Sequence, residues 1–289
     1  MSPLDYVVIG HVTRDLKGPS AALGGTAAYA ARTARALGCR VGVITSAAAD
    51  LDLRQALGDV LIARLLARTS TAFENVYTES GRRQVIHGVA DPLGLGAVPY
   101  DWQAQIVHIG PVARECDPAL ARGFEGAFVG VTPQGWMRQW DELGNVSRRR
   151  WEEDEQVLPH VDAVVLSEED VDGDRSVVTR YARRTRCLVL TEGASGCTVY
   201  ANGDVRHFPT SSVDEVDSTG AGDIFAASLF YALQREHDAW AAARFANCIA
   251  TRSVTRSGLL AAPLEEEVIH CRRATLRGER NDVHHLRAG

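Results

Sequence analysis

Short runs of β-branched and aliphatic residues recur along the chain: DYVVIG from Asp5, RVGVIT from Arg40, QIVHIG from Gln105, AFVGVT from Ala127, DAVVLS from Asp162 and CLVLT from Cys187. Continuous apolar runs of this kind suit strands buried on both faces, whereas a sheet with one wet face alternates. Between them, GTAAYAARTARALG (25–38) and AGDIFAASLFYALQ (221–234) carry apolar residues at helical spacing and end near glycine or polar residues, as connecting helices do. The pattern predicts an α/β fold, a doubly wound, mainly parallel sheet flanked by helices, in one domain over 1–289. One segment breaks the rhythm. TSTAFENVYTESGRRQVIHGV (69–89) reads as two alternating strands around ESGRR, a hairpin that either edges the main sheet or stands away from it as a flap spanning about 69–91.

Composition narrows the class without changing the fold. At 289 residues and 45% hydrophobic content the chain can fill a sizeable core. No run approaches the roughly eighteen apolar residues of a membrane span, and Met1–Gly10 lacks the basic start and apolar centre of a signal peptide, so the expected compartment is the cytoplasm. The six cysteines, Cys39, Cys116, Cys187, Cys197, Cys248 and Cys271, form no C-x-x-C pair and read as reduced core thiols. A formal net charge of −6 gives no footprint for nucleic acid, and the locally basic tail at 272–289 reads as a solvated, frayed end.

In open parallel sheets ligands bind beyond the carboxyl ends of the strands. Those ends are His11 to Asp15, Ser46, Gly110-Pro111, Thr132-Pro133-Gln134, Ser167 to Asp170 and Thr191-Glu192-Gly193. A further stretch, DSTGAGDIF (217–225), sets two acids around small residues and runs straight into a helical pattern. Gly220, Ala221 and Gly222 let the backbone turn sharply and present amides beside the positive end of a helix dipole, which makes an anion hole. Asp223 in the first helical turn serves equally as a cap or as a base; the second acid, Asp217, and the other strand ends favour chemistry. A carboxylate beside an anion hole suits phosphoryl transfer. The P-loop signature G-x-x-x-x-G-K-S/T is absent, and no G-x-G-x-x-G follows the first strand, which weighs against a dinucleotide-dependent oxidoreductase.

With these residues in place the chain resembles the PfkB carbohydrate kinase family of the ribokinase-like superfamily. The resemblance rests on DSTGAGDIF, on LGGTAAYAARTARALG from Leu23, on LVLTEGASGCTVY (188–200) and on RFANCIATRSVTRSG (244–258), in the family's order. Within the family the glycine-pair block and the 187–200 block look most like the branch holding plant-type myo-inositol kinases. What the resemblance implies is an ATP-dependent kinase of a small polyhydroxy substrate (a sugar, a cyclitol such as myo-inositol, or a nucleoside) with a small β-lid over the acceptor that can mediate a homodimer contact. It assigns Asp223 as general base and the amides of Gly220, Ala221 and Gly222 as anion hole. Asp15, Gly24 and Gly25 become acceptor contacts, joined by His11 from its strand-end position. Thr191, Gly193, Gly196, Thr219 and Asn247 fall on the nucleotide side, although Asn247 serves equally as a helix residue bonded to backbone. Magnesium falls to Glu169 or Asp170, and a monovalent cation such as K⁺ to the surroundings of Asp217 and Gly258.

Two departures stand out. The family's N-x-x-E motif is replaced by Ser167-Glu168-Glu169-Asp170, which leaves open a catalytically impaired sensor of a sugar or nucleotide. Where sugar kinases of the group often carry an asparagine after the glycine pair, this chain has Tyr29 and small neighbours. Gln134, Trp136 and Arg138 lie past a strand end where they could meet substrate, but the four-residue spacing of Trp136 and Trp140 favours a packed helical face. His87 and His108 form no H-x-H or H-x-x-x-H pair, so no histidine metal site is expected.

Overall fold

The computed structural model describes residues 3–17, 20–78, 81–278 and 284–286. In chain order the elements are β1 (Leu4–Ile9), β2 (Thr13–Lys17), β3 (Ser20–Gly24), α1 (Thr26–Ala36), β4 (Val41–Ala47), α2 (Leu53–Leu57), β5 (Leu61–Leu66), β6 (Ala72–Thr78), β7 (Gly81–Gly88), β8 (Ala104–Ile109), β9 (Phe128–Val131), β10 (Arg138–Trp140) and β11 (Val146–Arg148). They continue with α3 (Asp154–Val157), β12 (Ala163–Ser167), α4 (Glu168–Val171), α5 (Arg175–Ala182), β13 (Cys187–Thr191), β14 (Cys197–Ala201), β15 (Asp204–Phe208), α6 (Ala221–Glu236), α7 (Ala239–Ser253), α8 (Glu265–Leu276) and β16 (His284–Leu286).

Ten strands form one sheet in the order β16-β15-β14-β13-β12-β9-β8-β1-β4-β5. From β13 to β5 every pairing is parallel, and β14, β15 and β16 add an antiparallel edge. The apolar runs feed both faces. Tyr6 and Val8 join the layer of α1, α6 and α7, while Val7 and Ile9 face the layer that contains Trp136, Trp151 and Tyr181. Gly130 of β9 shows why α6 lies so close to the sheet: a Cβ there would sit 2.5 Å from the Phe230 ring.

The hairpin β6–β7 does not edge the main sheet; with β2 and β3 it forms a second sheet in the order β3-β2-β6-β7. Its turn at 79–80 lies outside the described residues, as do 279–283 and 287–289 of the tail expected to fray, whose first residues, Arg272 to Leu276, complete α8. A third, two-stranded unit, β10–β11, docks on the second sheet where Ile86 N–H donates to the Gly144 carbonyl at 2.8 Å.

Two expectations fail. Cys248 and Cys271 are joined in a disulfide between α7 and α8, with their Cα atoms 5.7 Å apart. The pairing comes from helix packing across 23 residues, which no short cysteine spacing reveals. The other four cysteines are free. Trp136 and Trp140 share no helical face: Pro133–Gly135 makes a single 3-10 turn and β10 follows. Trp136 is buried, stacks on Trp151 at a 5.7 Å centroid distance, and donates its Nε1–H to the Cys116 carbonyl.

Candidate active site

A cleft of about 1230 Å³ opens between the second sheet and the carboxyl ends of the parallel strands. At its floor lies the start of α6. Gly220 caps that helix with φ 81°, a left-handed conformation, and a Cβ on it would come within 2.4 Å of the Tyr29 ring. Backbone hand and lack of room both demand glycine. The turn before it is held from two sides: Asp217 accepts from Thr219 N–H at 3.0 Å and from Gly258 N–H at 3.2 Å, and the amides of Val216 and Asp217 donate to Val254 O. Of the three amides expected in the anion hole, that of Ala221 is committed to Ser218 O at 3.1 Å. The amides available at the helix start are those of Gly220, Gly222 and Asp223, because Ile224 is the first to bond back along the helix, to Gly220 O.

Asp223 faces the cleft, half-buried, and accepts a hydrogen bond from the Thr26 hydroxyl. Burial pushes its carboxyl up to about 6; Thr26 and Arg138 pull the other way, and Asp170 and Asp15 add to the rise. The Tyr29 phenol is pushed up by burial first and then by Asp15, Asp223 and Asp217, so it stays a neutral donor. Asp15 on β2 accepts from Thr13 Oγ1 at 3.0 Å and lines the same cleft. The glycine pair is forced by close approach: a Cβ at Gly24 would lie 2.5 Å from Asp15 Oδ2, and one at Gly25 (φ 85°) 2.5 Å from His11 O. Gly25 lines the cleft and Gly24 packs behind it.

The expected acceptor contact at His11 fails. Its side chain is fully buried, with Nδ1 2.7 Å from Thr71 Oγ1 and Nε2 3.0 Å from Asp91 O, so both ring nitrogens tie β1 to the loops beneath the second sheet. On the far side Thr191, Gly193 and Thr219 line the cleft. Gly196 and Asn247 do not. Gly196 (φ 100°) turns the β13–β14 connection, where a Cβ would overlap Phe208 O at 2.0 Å, and Asn247 spends its amide N–H groups on Phe208 O and Pro209 O. Glu192, between Thr191 and Gly193, is held by Arg175, Thr198 and His207.

The altered Ser167-Glu168-Glu169-Asp170 motif has a local explanation. Ser167 Oγ accepts from Asp170 N–H, and Asp170 Oδ2 accepts from Ser167 N–H at 2.8 Å, a reciprocal capping box at the start of α4. Gln134 donates to the other Asp170 oxygen at 3.3 Å, so Asp170 is spent on structure and Glu169 is the acid of the pair left facing the cleft. No cluster of three metal-ligating side chains occurs among the described residues.

Several site residues carry no short motif. Thr26 is the helix residue after the glycine pair. Glu115, buried, accepts backbone N–H bonds from His11, Val112 and Ala113 and so fixes the loops after β1 and β8 to each other. Phe73, Asn75, Arg83 and Gln84 reach the cleft from β6 and β7, and Arg138, Ser147 and Arg148 from β10 and β11.

Residues 139–267 match the family model of the pfkB family carbohydrate kinases. A fructokinase of Klebsiella pneumoniae is 29% identical over 202 residues, 63% of this chain and 64% of that one. An inositol 3-kinase of Zea mays is 33% identical over 103 residues, 36% of this chain and 26% of that one. The matches thus span less than two thirds of these relatives' lengths. Among solved structures, a pyrophosphate-dependent kinase of the ribokinase family, complexed with a pyrophosphate analogue and myo-inositol, superimposes with a TM-score of 0.77 at 23% identity, covering 92% of this chain and 99% of that one. A ribokinase of Arabidopsis thaliana with ribose and ATP does so at 0.70 and 17%, covering 94% and 99%. The fold is that of the ribokinase family.

Proposed function

We propose that this chain, which carries a PfkB-family carbohydrate kinase domain on a ribokinase fold, transfers a phosphoryl group from ATP to a hydroxyl of a small sugar, cyclitol or nucleoside. The observation that carries the reading is the convergence of Asp223, the adjoining helix-start amides and Asp15 on one cleft. Asp15, an acceptor-only group when ionised, receives hydroxyls of the acceptor. Asp223 takes the proton of the attacking hydroxyl as its oxygen approaches the terminal phosphorus in line, and the amides of Gly220 and Gly222 stabilise charge on the phosphoryl oxygens. Thr191, Gly193 and Thr219 border the donor's phosphates. Magnesium needs few protein ligands, because it keeps waters and takes phosphate oxygens; of the acids lining the cleft Glu169 would hold it, and it would neutralise charge on the donor. K⁺ beside Asp217 and a lid-mediated homodimer belong to the same reading.

A second reading concerns the donor. Asn247, the residue expected beside a base, is bound to Phe208 O and Pro209 O, and no residue of α7 lines the cleft. That favours a donor gripped by its phosphates alone, and a solved relative by fold is a pyrophosphate-dependent kinase.

The test is turnover of ATP and of pyrophosphate with Mg²⁺ against a panel of sugars, cyclitols and nucleosides, with Asp223→Asn as control. The variant should lose at least about a hundredfold in kcat. Full activity in Asp223→Asn would overturn the assignment of the base, and no turnover of either donor would overturn the kinase reading.

A further inference from the structure

We infer that Arg138 is a further catalytic residue, one whose guanidinium contacts the phosphoryl group in transit and is held there by the lid strand β6. The inference rests on the phosphotransfer reading. Acids dominate the floor and far wall of the cleft, among them Asp15, Glu169, Asp217 and Asp223, whereas its arginines, Arg83, Arg138 and Arg148, all come from β7, β10 and β11. Arginine supplies nearly all the basic side chains of this chain, which has a single lysine. Phosphoryl transfer spreads negative charge over the equatorial oxygens, and neutral amides supply only part of what stabilises it.

Among the three arginines Arg138 is the one bound at both ends of the problem. Its Nη1 donates to Val112 O at 3.0 Å, and Val112 N–H is in turn held by the buried Glu115 carboxylate, which fixes the fork from behind. Its guanidinium carbon lies 5.4 Å from the centroid of the Phe73 ring on β6, a cation–π contact that ties it to the lid. Its charge acts directly on Asp223, as do those of Asp15 and Asp170, with the Thr26 hydroxyl bonded to the same carboxylate. A cation near Asp223 is near the transferring phosphorus, because the base and the phosphorus share the attacking oxygen. In the step itself that oxygen bonds to the terminal phosphorus as the bond from the phosphorus to the donor's bridging oxygen breaks. The bridging oxygen leaves with the electron pair and the acceptor's proton passes to Asp223. Arg186, paired with Asp162 at 2.9 Å on the surface and outside the cleft, serves as the contrasting cation.

The test is steady-state kinetics of Arg138→Gln, Arg138→Lys and Arg186→Gln, with the donor and acceptor that the wild type uses best. Arg138→Gln should lower kcat by about a hundredfold with acceptor KM changed less than about threefold, the split expected of an interaction made in the transition state. Arg138→Lys should recover part of the loss, since charge returns without the fork. Arg186→Gln should stay within about twofold. The acid limb of the kcat profile should move to higher pH in Arg138→Gln, because a removed cation no longer favours the Asp223 carboxylate; a purely structural arginine would leave that limb in place. A loss confined to KM, or an unmoved limb with unchanged kcat, overturns the inference, and Arg138→Lys keeps the test decisive if the Gln variant does not fold. Turnover lost in Asp223→Asn but kept in Arg138→Gln would sink this inference alone, leaving the phosphotransfer reading intact.

Discussion

Asp223 holds its charge at a cost, and the sign of that cost can be worked out. Its folded-state pKa is about 6 against an ordinary 3.8, so the folded protein binds this proton more tightly than the unfolded chain does. The penalty is absent below about pH 3, builds between about pH 4 and 6, and is fully present at neutral pH. Asp223→Asn keeps an oxygen for the Thr26 hydroxyl and removes the ionisation, so it should stabilise the fold at pH 8 by about 1–2 kcal/mol, less than the full shift because the cleft is open to water. Urea denaturation at pH 8 and pH 3 checks this: the gain should vanish at the lower pH, and a variant less stable than wild type at pH 8 would contradict it. The wild-type kcat/KM should fall as pH drops through about 6, since a protonated Asp223 accepts nothing. At this scale the sequence was partly legible. Asp15 and Asp223 could be found because each follows a strand end or a glycine turn. His11 met the same criterion but lies one side-chain direction away, turned under the second sheet. Thr26 and Glu115 could not be found, because the contacts that link them to the site are distant in the chain: His11 lies 104 residues from Glu115, and Asp223 nearly 200 from Thr26.

Between residue and molecule, the central strands and the helices α1 and α6 were legible because each carries its own apolar signal, and the packing between them was not. Gly130 is the case in point. In AFVGVT it reads as an ordinary weak spot in a strand, yet it is the place where α6 comes down on the sheet, with three atoms of the Phe230 ring at 2.5–2.6 Å from a hypothetical Cβ. Phe230 also lies edge-on to the His108 ring at 4.9 Å, and His108, pushed down to about 3 by burial, stays neutral between Tyr6 and Thr132. Gly130→Ala must therefore move a helix whose first turn carries Asp223. We expect a loss of about 1–3 kcal/mol in chemical denaturation, with kcat reduced as well if Asp223, in the first turn of α6, is the base as proposed. Unchanged stability would mean that α6 is free to slide. The β10–β11 unit was illegible for a different reason: TPQGWMRQW spaces its tryptophans as a helix would, yet its end pairs as a strand with β11, Arg138 opposite Arg148 and Trp140 opposite Val146.

For the whole molecule, the alternation of apolar runs and helices was enough to foresee a doubly wound sheet, whereas the hairpin signal left open an edge of that sheet or a separate flap and did not say which strands it joins. What sequence reasoning could not supply is closure between distant elements, and the Cys248–Cys271 bridge is its clearest instance. It ties α7 to α8, and α7 ends at Ser253, next to Val254, whose carbonyl holds the amides of Val216 and Asp217 beneath the Gly220 turn. The bridge thus stiffens the support of the site from outside the cleft. Closing a loop of 23 residues restricts the unfolded chain by about 3 kcal/mol on the chain-entropy account, so Cys271→Ser or reduction should lower stability by about that amount. Activity at moderate temperature should survive, because the bonds from Val216 and Asp217 N–H to Val254 O and from Gly258 N–H to the Asp217 carboxylate remain. Thiol titration under denaturing conditions separates the outcomes: four thiols should react before reduction, matching Cys39, Cys116, Cys187 and Cys197, and six afterwards. Six thiols at the outset, in protein never exposed to reductant, would show that the two helices pack without the bond and that the original reading of reduced cysteines was correct.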